Sequence, residues 1–336
     1  MTDRRTFLGA LAGGLLAAPL AVEAQQAAKV YRIGFITTEL IGQPPGRGPL
    51  WDRMRELGWV YGQNVIVGRR ASFGQNERVP ELASDLMRAG VDVFVVVSAD
   101  AAEHVQRVTR TIPIVTIAAG DLVAAGLASS LSRPGGNVTG VQSFQVDLAG
   151  KQLALLKEML PSLSRVGLFV RWSSSEAALR SGGSIYVGML RQLEATAPRV
   201  GVDLRLVIVR GPVDFDAAFA SLSRARVGAV IVFGSELIAI HRRSVAELLA
   251  RYRMPAIYQA GAYVTEGWLM SYGPDFREHL RLAADTLDKI LRGAKAGDVP
   301  IQQPTKFELA INFKTARALG LTIPPSLLAR ADEVIQ

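Results

Sequence analysis

The sequence contains no cysteine and only three histidines. The lack of cysteine excludes disulfides, thiolate zinc sites, thiol nucleophiles and a lipid-bearing cysteine. His104, His241 and His279 all fall on predicted helices among Arg, Glu and Gln, so we interpret them as solvated surface residues. None of them has metal-ligand spacing to another histidine or to a carboxylate. We therefore expect no metal and no cofactor.

Motifs of catalytic folds are also missing. No GxSxG nucleophile elbow, P-loop or Rossmann glycine fingerprint follows a predicted strand. Glycines do cluster at positions 42, 46 and 48, but they are mixed with prolines, which is typical of a loop rather than of a phosphate cradle. With so little catalytic chemistry, the sequence favours a binding protein over an enzyme.

Positive charge is scattered along the chain. The formal net charge is +8, yet the densest basic cluster is Arg242 and Arg243 after His241. Nucleic-acid binding would need a longer basic run or a stacking platform, so we expect no nucleic-acid partner. The composition, 49% apolar and 20% charged, is that of a globular protein. A chain of 336 residues is too long for one ordinary core, so we expect two lobes.

Residues 1–24 have the pattern of an export signal. Arg4 and Arg5 form a basic start, a long uncharged stretch follows, and small residues precede a cleavage point after Ala24. The run RRTFL at 4–8 resembles a twin-arginine signal, and a general secretory signal is the alternative. We expect cleavage near Ala24, a periplasmic mature protein, and no membrane span later in the chain.

The remainder of the chain repeats one pattern of short apolar runs. The run at 32–36 is matched at 165–170, the run at 65–67 at 206–209, the run at 91–98 at 227–235, and the run at 112–117 at 254–258. Helical patterns separate these runs, which predicts βα units with parallel strands covered on both faces. Two such series predict two Rossmann-like α/β lobes with parallel sheets. A single large doubly wound sheet is the alternative, but it leaves the repeat unexplained.

Polar and aromatic residues stand at the predicted strand ends. In open α/β sheets, ligands bind outside the carboxyl ends of the strands. The candidate ligand contacts are therefore Thr37, Thr38, Ser98, Ala99, Asp100, Gly120, Asp121, Trp172, Ser173, Ser174, Ser235, Glu236, Tyr258 and Tyr263. Hydroxyls and free amides at helix N-termini favour a carboxylate. For each Ser or Thr, a role as a helix N-cap is the alternative.

Several of these candidates have more specific expected roles. Ser98 and Ser235 occupy matching places in the repeat, so we expect them to flank a solute from opposite lobes. Tyr258, Tyr263 and Trp172 are candidates for stacking on a flat solute. Asp121 and Glu236 would neutralise an amine if the solute is an amino acid.

Several long motifs resemble one known family. They are the segment 120–140 (GDLVAAGLASSLSRPGGNVTG), MSYGP at 270–274, QPTKFELAIN at 303–312, and the closing segment 314–332. Together they are similar to the ABC-transporter substrate-binding proteins of the tryptophan/tyrosine type, over essentially the whole mature chain. The resemblance implies a type I periplasmic-binding-protein fold, in which two lobes joined by a three-strand hinge close on a ligand.

The resemblance also implies how the chain is divided and what it does. We expect lobe 1 to comprise 29–143 and 264–295, and lobe 2 to comprise 144–263 and 296–336. The implied function is a monomeric periplasmic receptor that delivers a small organic solute, such as an aromatic amino acid or related carboxylate, to a membrane permease and ATPase of an ABC importer. The alternatives are a two-lobed enzyme, such as a racemase or sugar-nucleotide enzyme, and the effector domain of a transcriptional regulator.

The chain departs from the family pattern at two predicted ligand positions. Arg171 and Trp172 stand where many relatives have Asn-Pro after the first strand of lobe 2, and Ser235 and Glu236 replace a Pro-Asp pair. These positions should touch the solute, so the departures bear on which solute it is.

Overall fold

The computed structural model describes residues 29–37, 45–73, 75–143, 145–172, 175–181 and 185–336. The predicted export signal lies outside these residues, as do the site candidates Thr38, Ser173 and Ser174. Within the described ranges, no helix is both long enough and apolar enough to cross a membrane.

Strands and helices alternate along the chain, as the repeated apolar runs predict. The described strands are β1 (Tyr31–Thr37), β2 (Val65–Ala71), β3 (Val93–Val96), β4 (Ile114–Ala119), β5 (Val138–Gln142), β6 (Arg165–Arg171), β7 (Asp203–Val209), β8 (Ala229–Val232), β9 (Ala256–Tyr258), β10 (Met270–Pro274), β11 (Phe307–Asn312) and β12 (Glu333–Ile335). The described α-helices are α1 (Pro49–Glu56), α2 (Val79–Arg88), α3 (Ala99–Val108), α4 (Gln145–Met159), α5 (Glu176–Ser181), α6 (Ile185–Thr196), α7 (Phe215–Arg224), α8 (Glu236–Ile240), α9 (Arg242–Arg251), α10 (Phe276–Leu291), α11 (Phe313–Leu319) and α12 (Pro325–Leu328).

Two sheets divide these strands between two lobes. The sheet of lobe 1 has the order β2-β1-β3-β4-β5, and its paired strands are parallel. The sheet of lobe 2 has the order β12-β11-β10-β9-β8-β6-β7. Among its described pairs, only β10 and β11 run antiparallel. The predicted α/β class with two mostly parallel sheets is confirmed.

The repeat in the sequence is also a repeat in topology. The order β2-β1-β3-β4 in lobe 1 corresponds to β7-β6-β8-β9 in lobe 2. The first strand of each series therefore lies between the second and the third. Matching sequence positions, such as those of Ser98 and Ser235, consequently occupy matching places beside the two sheets.

The central strands are apolar because helices cover both faces of each sheet. All four residues of β3 and all four of β8 are buried. In lobe 1, α1 and α10 pack on one face of the sheet, and α2 and α3 pack on the other. In lobe 2, α4 and α6 cover one face, and α7 and α9 cover the other. Each lobe is thus a three-layer α/β unit.

The chain passes between the lobes three times. It passes first from β5 of lobe 1 to α4, which packs in the core of lobe 2. It returns from β10 of lobe 2 to α10, which packs in the core of lobe 1. It leaves lobe 1 again between Ile301, which packs in the lobe 1 core, and Phe307, which begins β11 of lobe 2. Each lobe is therefore discontinuous in sequence.

The crossings lie at other residues than those we predicted. The segment 264–295 was assigned to lobe 1, yet it contains β10, which hydrogen-bonds with β9 and β11 of lobe 2, and the buried Trp268 of the lobe 2 core. The segment 296–336 was assigned to lobe 2, yet Ala296 and Val299 pack in the core of lobe 1. The reason is that β11, the partner of β10, lies more than thirty residues further on, so the local pattern does not reveal which sheet β10 joins.

The histidines also differ from the sequence-based interpretation. His279 is buried on α10, one and two turns before Ala283 and Leu287 on the face that packs against lobe 1. Its burial lowers the pKa of its imidazole from the usual value. His104 and His241 are partly buried. The helical spacing of the apolar residues around His279 was the signal that we missed.

One glycine of the family-like segment 120–140 has a steric explanation. Gly140, within β5, has a φ of +133°, a conformation that side chains disfavour. A Cβ atom there would lie 2.3 Å from the carbonyl oxygen of Thr116 and 2.4 Å from its nitrogen. Strands β4 and β5 therefore approach closely only because position 140 lacks a side chain.

We predict that Gly140→Ala lowers the free energy of unfolding by at least about 3 kcal/mol, because strain and overpacking add. The matched control is Gly201→Ala. Gly201 also has a positive φ, +65°, but a Cβ there would meet no atom within 4 Å, so the expected loss is about 1–2 kcal/mol from strain alone. Urea denaturation followed by circular dichroism measures both. Equal losses would contradict the close-approach explanation.

Candidate functional site

The carboxyl ends of the parallel strands in both lobes face the crossings. β5 ends at Gln142 and β10 ends at Pro274, and from each of these strands the chain passes to the other lobe. β5 is parallel to β4 in lobe 1, and β10 is parallel to β9 in lobe 2. The carboxyl edges of the two sheets therefore meet at the crossings, in the arrangement where α/β sheets bind ligands. We call the space between these edges the interlobe cleft.

Ser98 and Ser235 occupy matching positions on the two edges, and both cap a helix. The Ser98 hydroxyl oxygen accepts the backbone N–H of Ala101 at 3.2 Å, at the start of α3. The Ser235 hydroxyl oxygen accepts the backbone N–H of Ile238 at 3.3 Å, at the start of α8. The N-cap alternative is thus present in the structure. In both caps the serine oxygen is the acceptor, so the hydroxyl hydrogen stays available to donate to another group.

The loop after β4 is held by its own acidic residue. The Asp121 carboxylate accepts the backbone N–H groups of Val123 and Ala124, each at 3.0 Å. The next amide, that of Leu122, donates to the Gln142 side chain at 3.1 Å and ties the loop to the end of β5. Asp121 therefore fixes the loop that begins at Gly120, although one face of its carboxylate is exposed.

The remaining lobe 1 candidates lie at the ends of β1 and β3. Thr37 is the last residue of β1, and its hydroxyl donates to the carbonyl oxygen of Arg70 at 3.4 Å. Ala99 and Asp100 begin α3, where Asp100 is exposed. These residues share the carboxyl edge of lobe 1 with Ser98.

Trp172 follows β6 at the edge of lobe 2. Its ring meets the Tyr186 ring edge-on, with 6.3 Å between the ring centroids. The Tyr186 hydroxyl in turn donates to the carbonyl oxygen of Gly234 at 2.7 Å. The indole nitrogen of Trp172 is buried and has no hydrogen-bond partner among the residues that the structure describes. Buried donors without a partner are uncommon in folded proteins.

Tyr258 and Tyr263 are in the core of lobe 2, so our prediction that they stack on a solute finds no support in their placement. Their side chains are 4% and 8% exposed, and their ring centroids are 4.2 Å apart. Trp268 packs against both rings at 5.3 Å. Burial raises the pKa of the Tyr258 hydroxyl far above its usual range. Apolar packing after β9 explains this placement, which the strand-end position alone did not reveal.

Two further residues at these edges escaped the sequence-based site, and a third, Arg171, was noted only as a departure from the family pattern. Arg171 is the last residue of β6 and is partly buried, and among the described residues its side chain makes no hydrogen bond or ion pair. Gln259 follows β9, and its amide lies so close to Gly234 that a Cβ atom there would be 2.4 Å away. Phe73 follows β2 and is 54% exposed. Each stands at a strand end or within two residues after it, which is the signal that would have included it.

The charges at the cleft favour an anionic group. Arg171, whose guanidinium has no partner among the described residues, lies at the edge of lobe 2, and the N-terminus of α3 lies at the edge of lobe 1. Asp121 already accepts two backbone N–H groups. The side chain of Glu236, at the start of α8, lies outside what the structure describes. Within the described ranges, no three His, Asp or Glu side chains come together as metal ligands.

A comparison with protein families identifies the chain. Residues 47–335 match the family model described as ABC transporter substrate binding protein. The chain belongs to this family. Membership implies a small-molecule ligand and membrane transporter partners, and it does not favour the two-lobed enzyme that we kept as an alternative.

Similar proteins of known structure share the fold of this substrate-binding protein. An ABC domain from Streptococcus pneumoniae in complex with L-Trp is 26% identical, with a TM-score of 0.79, over 91% of this chain and 100% of that chain. A conserved domain protein from Vibrio cholerae is 25% identical, with a TM-score of 0.78 and the same coverage. The Tyrosine-binding protein of Clostridioides difficile (strain R20291) is 23% identical over 80% of this chain and 74% of that protein. The type I periplasmic-binding-protein fold is confirmed.

A groove of about 500 Å³ in this substrate-binding protein lies away from the interlobe cleft. It is formed by α9, α11 and the residues before β10, and its lining includes the apolar side chains Ala246, Leu249 and Leu319. None of the predicted site residues lines it. Because it adjoins the amino end of β10, it is at the end of that strand opposite the crossing and away from the candidate site at the carboxyl edges.

Removal of either serine hydroxyl that caps a helix should measurably lower the stability of the protein. Ser98→Ala and Ser235→Ala should each lower the free energy of unfolding by about 1 kcal/mol, because each leaves a helix N–H without its acceptor. The control is Ser221→Ala, at an exposed position inside α7, which should be neutral or slightly stabilising. Urea denaturation of the three variants checks this. Losses no larger than that of the control would mean that the two caps contribute nothing.

Proposed function

We propose that this protein is the periplasmic solute receptor of an ABC importer, and that it binds a small organic carboxylate in the interlobe cleft by closure of its lobes. The observation that carries the proposal is the meeting of both carboxyl edges at the three crossings. A ligand between the edges would contact both lobes, so its binding free energy would favour the closed arrangement. The family match supports a receptor rather than an enzyme.

Arg171 is the main support for a carboxylate. This residue is partly buried and has no partner within the described part of the chain. Burial of a guanidinium carries a desolvation cost, which a bound carboxylate would offset through charge-assisted hydrogen bonds. The exposed N–H groups at the start of α3 would add a second favourable contact from lobe 1. Ser98 and Ser235, with their free hydroxyl hydrogens, would donate to the solute from opposite lobes.

An aromatic amino acid, or a related aromatic carboxylate, is the solute that we favour. One similar structure contains L-Trp, and one similar protein is named for tyrosine. At the edge of lobe 2, the Trp172 ring and its unpartnered N–H offer a flat surface and a donor. If the solute has an α-ammonium group, Asp121, Asp100 and Glu236 are the carboxylates available to bind it.

The proposal also covers the oligomeric state, the export route and the membrane partners of the receptor. We propose a monomer, exported by the twin-arginine route, that docks on a permease coupled to an ATPase. Lobe 1 would comprise 29–143 together with the segment from α10 to Ile301, and lobe 2 the remaining mature chain. The rims of the cleft change their separation on closure, so they are the surfaces by which a permease would distinguish the loaded receptor.

A solute screen with Arg171 variants tests this function. L-tryptophan, L-tyrosine, L-leucine, indole-3-acetate, benzoate and adenine would be added to the mature protein in a thermal-shift assay. A solute at a hundred times its Kd adds about 2.7 kcal/mol of stability, and small-angle scattering should then show a smaller radius of gyration. Arg171→Gln should weaken binding of the best carboxylate about ten- to a hundredfold.

Arg224→Gln is the control, because Arg224 is exposed at the end of α7. Its affinity should equal that of the wild type. If no compound stabilised the wild type, or if the radius stayed unchanged with saturating solute, the receptor proposal would fail. An unaltered affinity in Arg171→Gln would remove only the proposed carboxylate contact.

Export supplies a separate prediction. Mass spectrometry of the periplasmic protein should find Gln25 at or near its N-terminus, because small residues precede a cleavage point after Ala24. Replacing both Arg4 and Arg5 with lysine should block export if the twin-arginine route is used. Normal export of that variant would indicate the general secretory route, and a cytoplasmic protein that retains Met1 would contradict export altogether.

A further inference from the structure

Phe73 combines an exposed ring with an unfavourable backbone conformation. It follows β2 with a φ of +51°, and its side chain is 54% exposed. The backbone N–H of Ser72 donates to the carbonyl oxygen of Thr37, and the N–H of Gln75 donates to that of Ser72. Phe73 is therefore the first central residue of a tight turn at the carboxyl edge of lobe 1. Turns with a positive φ at this position normally hold Gly, Asn or Asp.

Helix termination explains the other residues of this kind in the described ranges. Arg226 and Arg253 also have positive φ values, 53° and 51°. Each stands just past a helix, α7 or α9, and its N–H donates to a carbonyl oxygen of the last turn, as in ordinary left-handed helix ends. Phe73 follows a strand, so no helix end accounts for it. The turn accounts for the positive φ but not for a phenylalanine at this position, and a strained residue of this kind points to a function.

The turn lies beside the proposed binding edge. The 3₁₀ helix Asn76–Arg78, which follows the turn, packs beside α3, the helix that Ser98 caps. On that 3₁₀ helix, the side-chain oxygen of Asn76 is buried and finds no hydrogen-bond partner within the described ranges. This segment of the edge of lobe 1 thus holds an apolar ring and an unsatisfied acceptor, as the edge of lobe 2 holds Trp172 with its unsatisfied donor.

We infer that the Phe73 ring is a solute-contacting residue, held in its strained turn so that it packs on the flat part of the bound solute from lobe 1. This inference rests on the proposed receptor function. An aromatic or aliphatic ring face gains from contact with an exposed phenyl group, whereas the turn alone would be served better by glycine. The residue therefore determines specificity rather than fold.

The test uses Phe73→Gly with the best-binding solute of the screen and isothermal calorimetry. Glycine relieves the left-handed strain, so the thermal midpoint of the free protein should stay equal or rise, while affinity should fall roughly tenfold. Phe73→Tyr, which keeps the ring, should retain the wild-type affinity within about twofold. The matched control is Arg253→Gly, which relieves a left-handed residue remote from the cleft and should leave affinity unchanged.

Three outcomes would overturn the inference, and they are distinguishable. If the solute binds Phe73→Gly as tightly as the wild type, Phe73 makes no solute contact, and the receptor function stands. If Phe73→Tyr loses as much affinity as Phe73→Gly, ring packing is not the reason for the residue. If Arg253→Gly loses equal affinity, the effect comes from the backbone change in general. Absence of any binding by the wild type would refute the receptor function and this inference with it.

Discussion

In each of the two mostly parallel sheets, the chain leaves for the other lobe at the carboxyl edge. This constraint determines where the remaining parts of the structure lie. A parallel strand must be followed by a covering element before the next strand begins. When that element belongs to the other lobe, as after β5 and β10, the edge where the strand ends also becomes the edge where the lobes are joined. The polar loops of both sheets are thereby gathered at one place. The interlobe cleft is a consequence of strand direction and does not depend on any single side chain.

Several residues at these edges have structural roles, and the proposed site uses the groups that remain. Ser98 and Ser235 use their oxygens as helix caps, and Asp121 uses its carboxylate to order a loop. Tyr258 and Tyr263 are buried in the lobe 2 core. The groups left over are the Arg171 guanidinium, the Trp172 indole N–H, and the Phe73 ring. A cation without a partner in the described part of the chain, a hydrogen-bond donor and an apolar face are complementary to the flat carboxylate that we propose.

The sequence predicted the architecture well because its signals are local. Short apolar runs such as those of β3 and β8 predicted buried parallel strands, and their repetition predicted two lobes. The lobe membership of β10 was not predictable, since it depends on pairing with the distant β11. The sequence predicted the sheet edge at which the candidate site lies, but not which side chains face it. A strand-end position does not show whether a ring points into the core or into the cleft, as the buried Tyr258 demonstrates. The positive φ of Phe73 was also not predictable, because the residues around it in the sequence give no unambiguous signal for it.

The late position of α10 in the sequence has a consequence for how the protein folds during synthesis. Ala283, Leu287 and Ile290 of this helix fill one side of the lobe 1 core, together with Val299. While the ribosome has delivered only residues 29–143, that face of the first sheet has no cover. The sheet of lobe 2 is likewise incomplete until β11 has been synthesised, and β11 lies after α10 in the chain. Each core therefore lacks part of its packing until late in synthesis, lobe 1 until α10 and Val299 have been made and lobe 2 until β11 has been made.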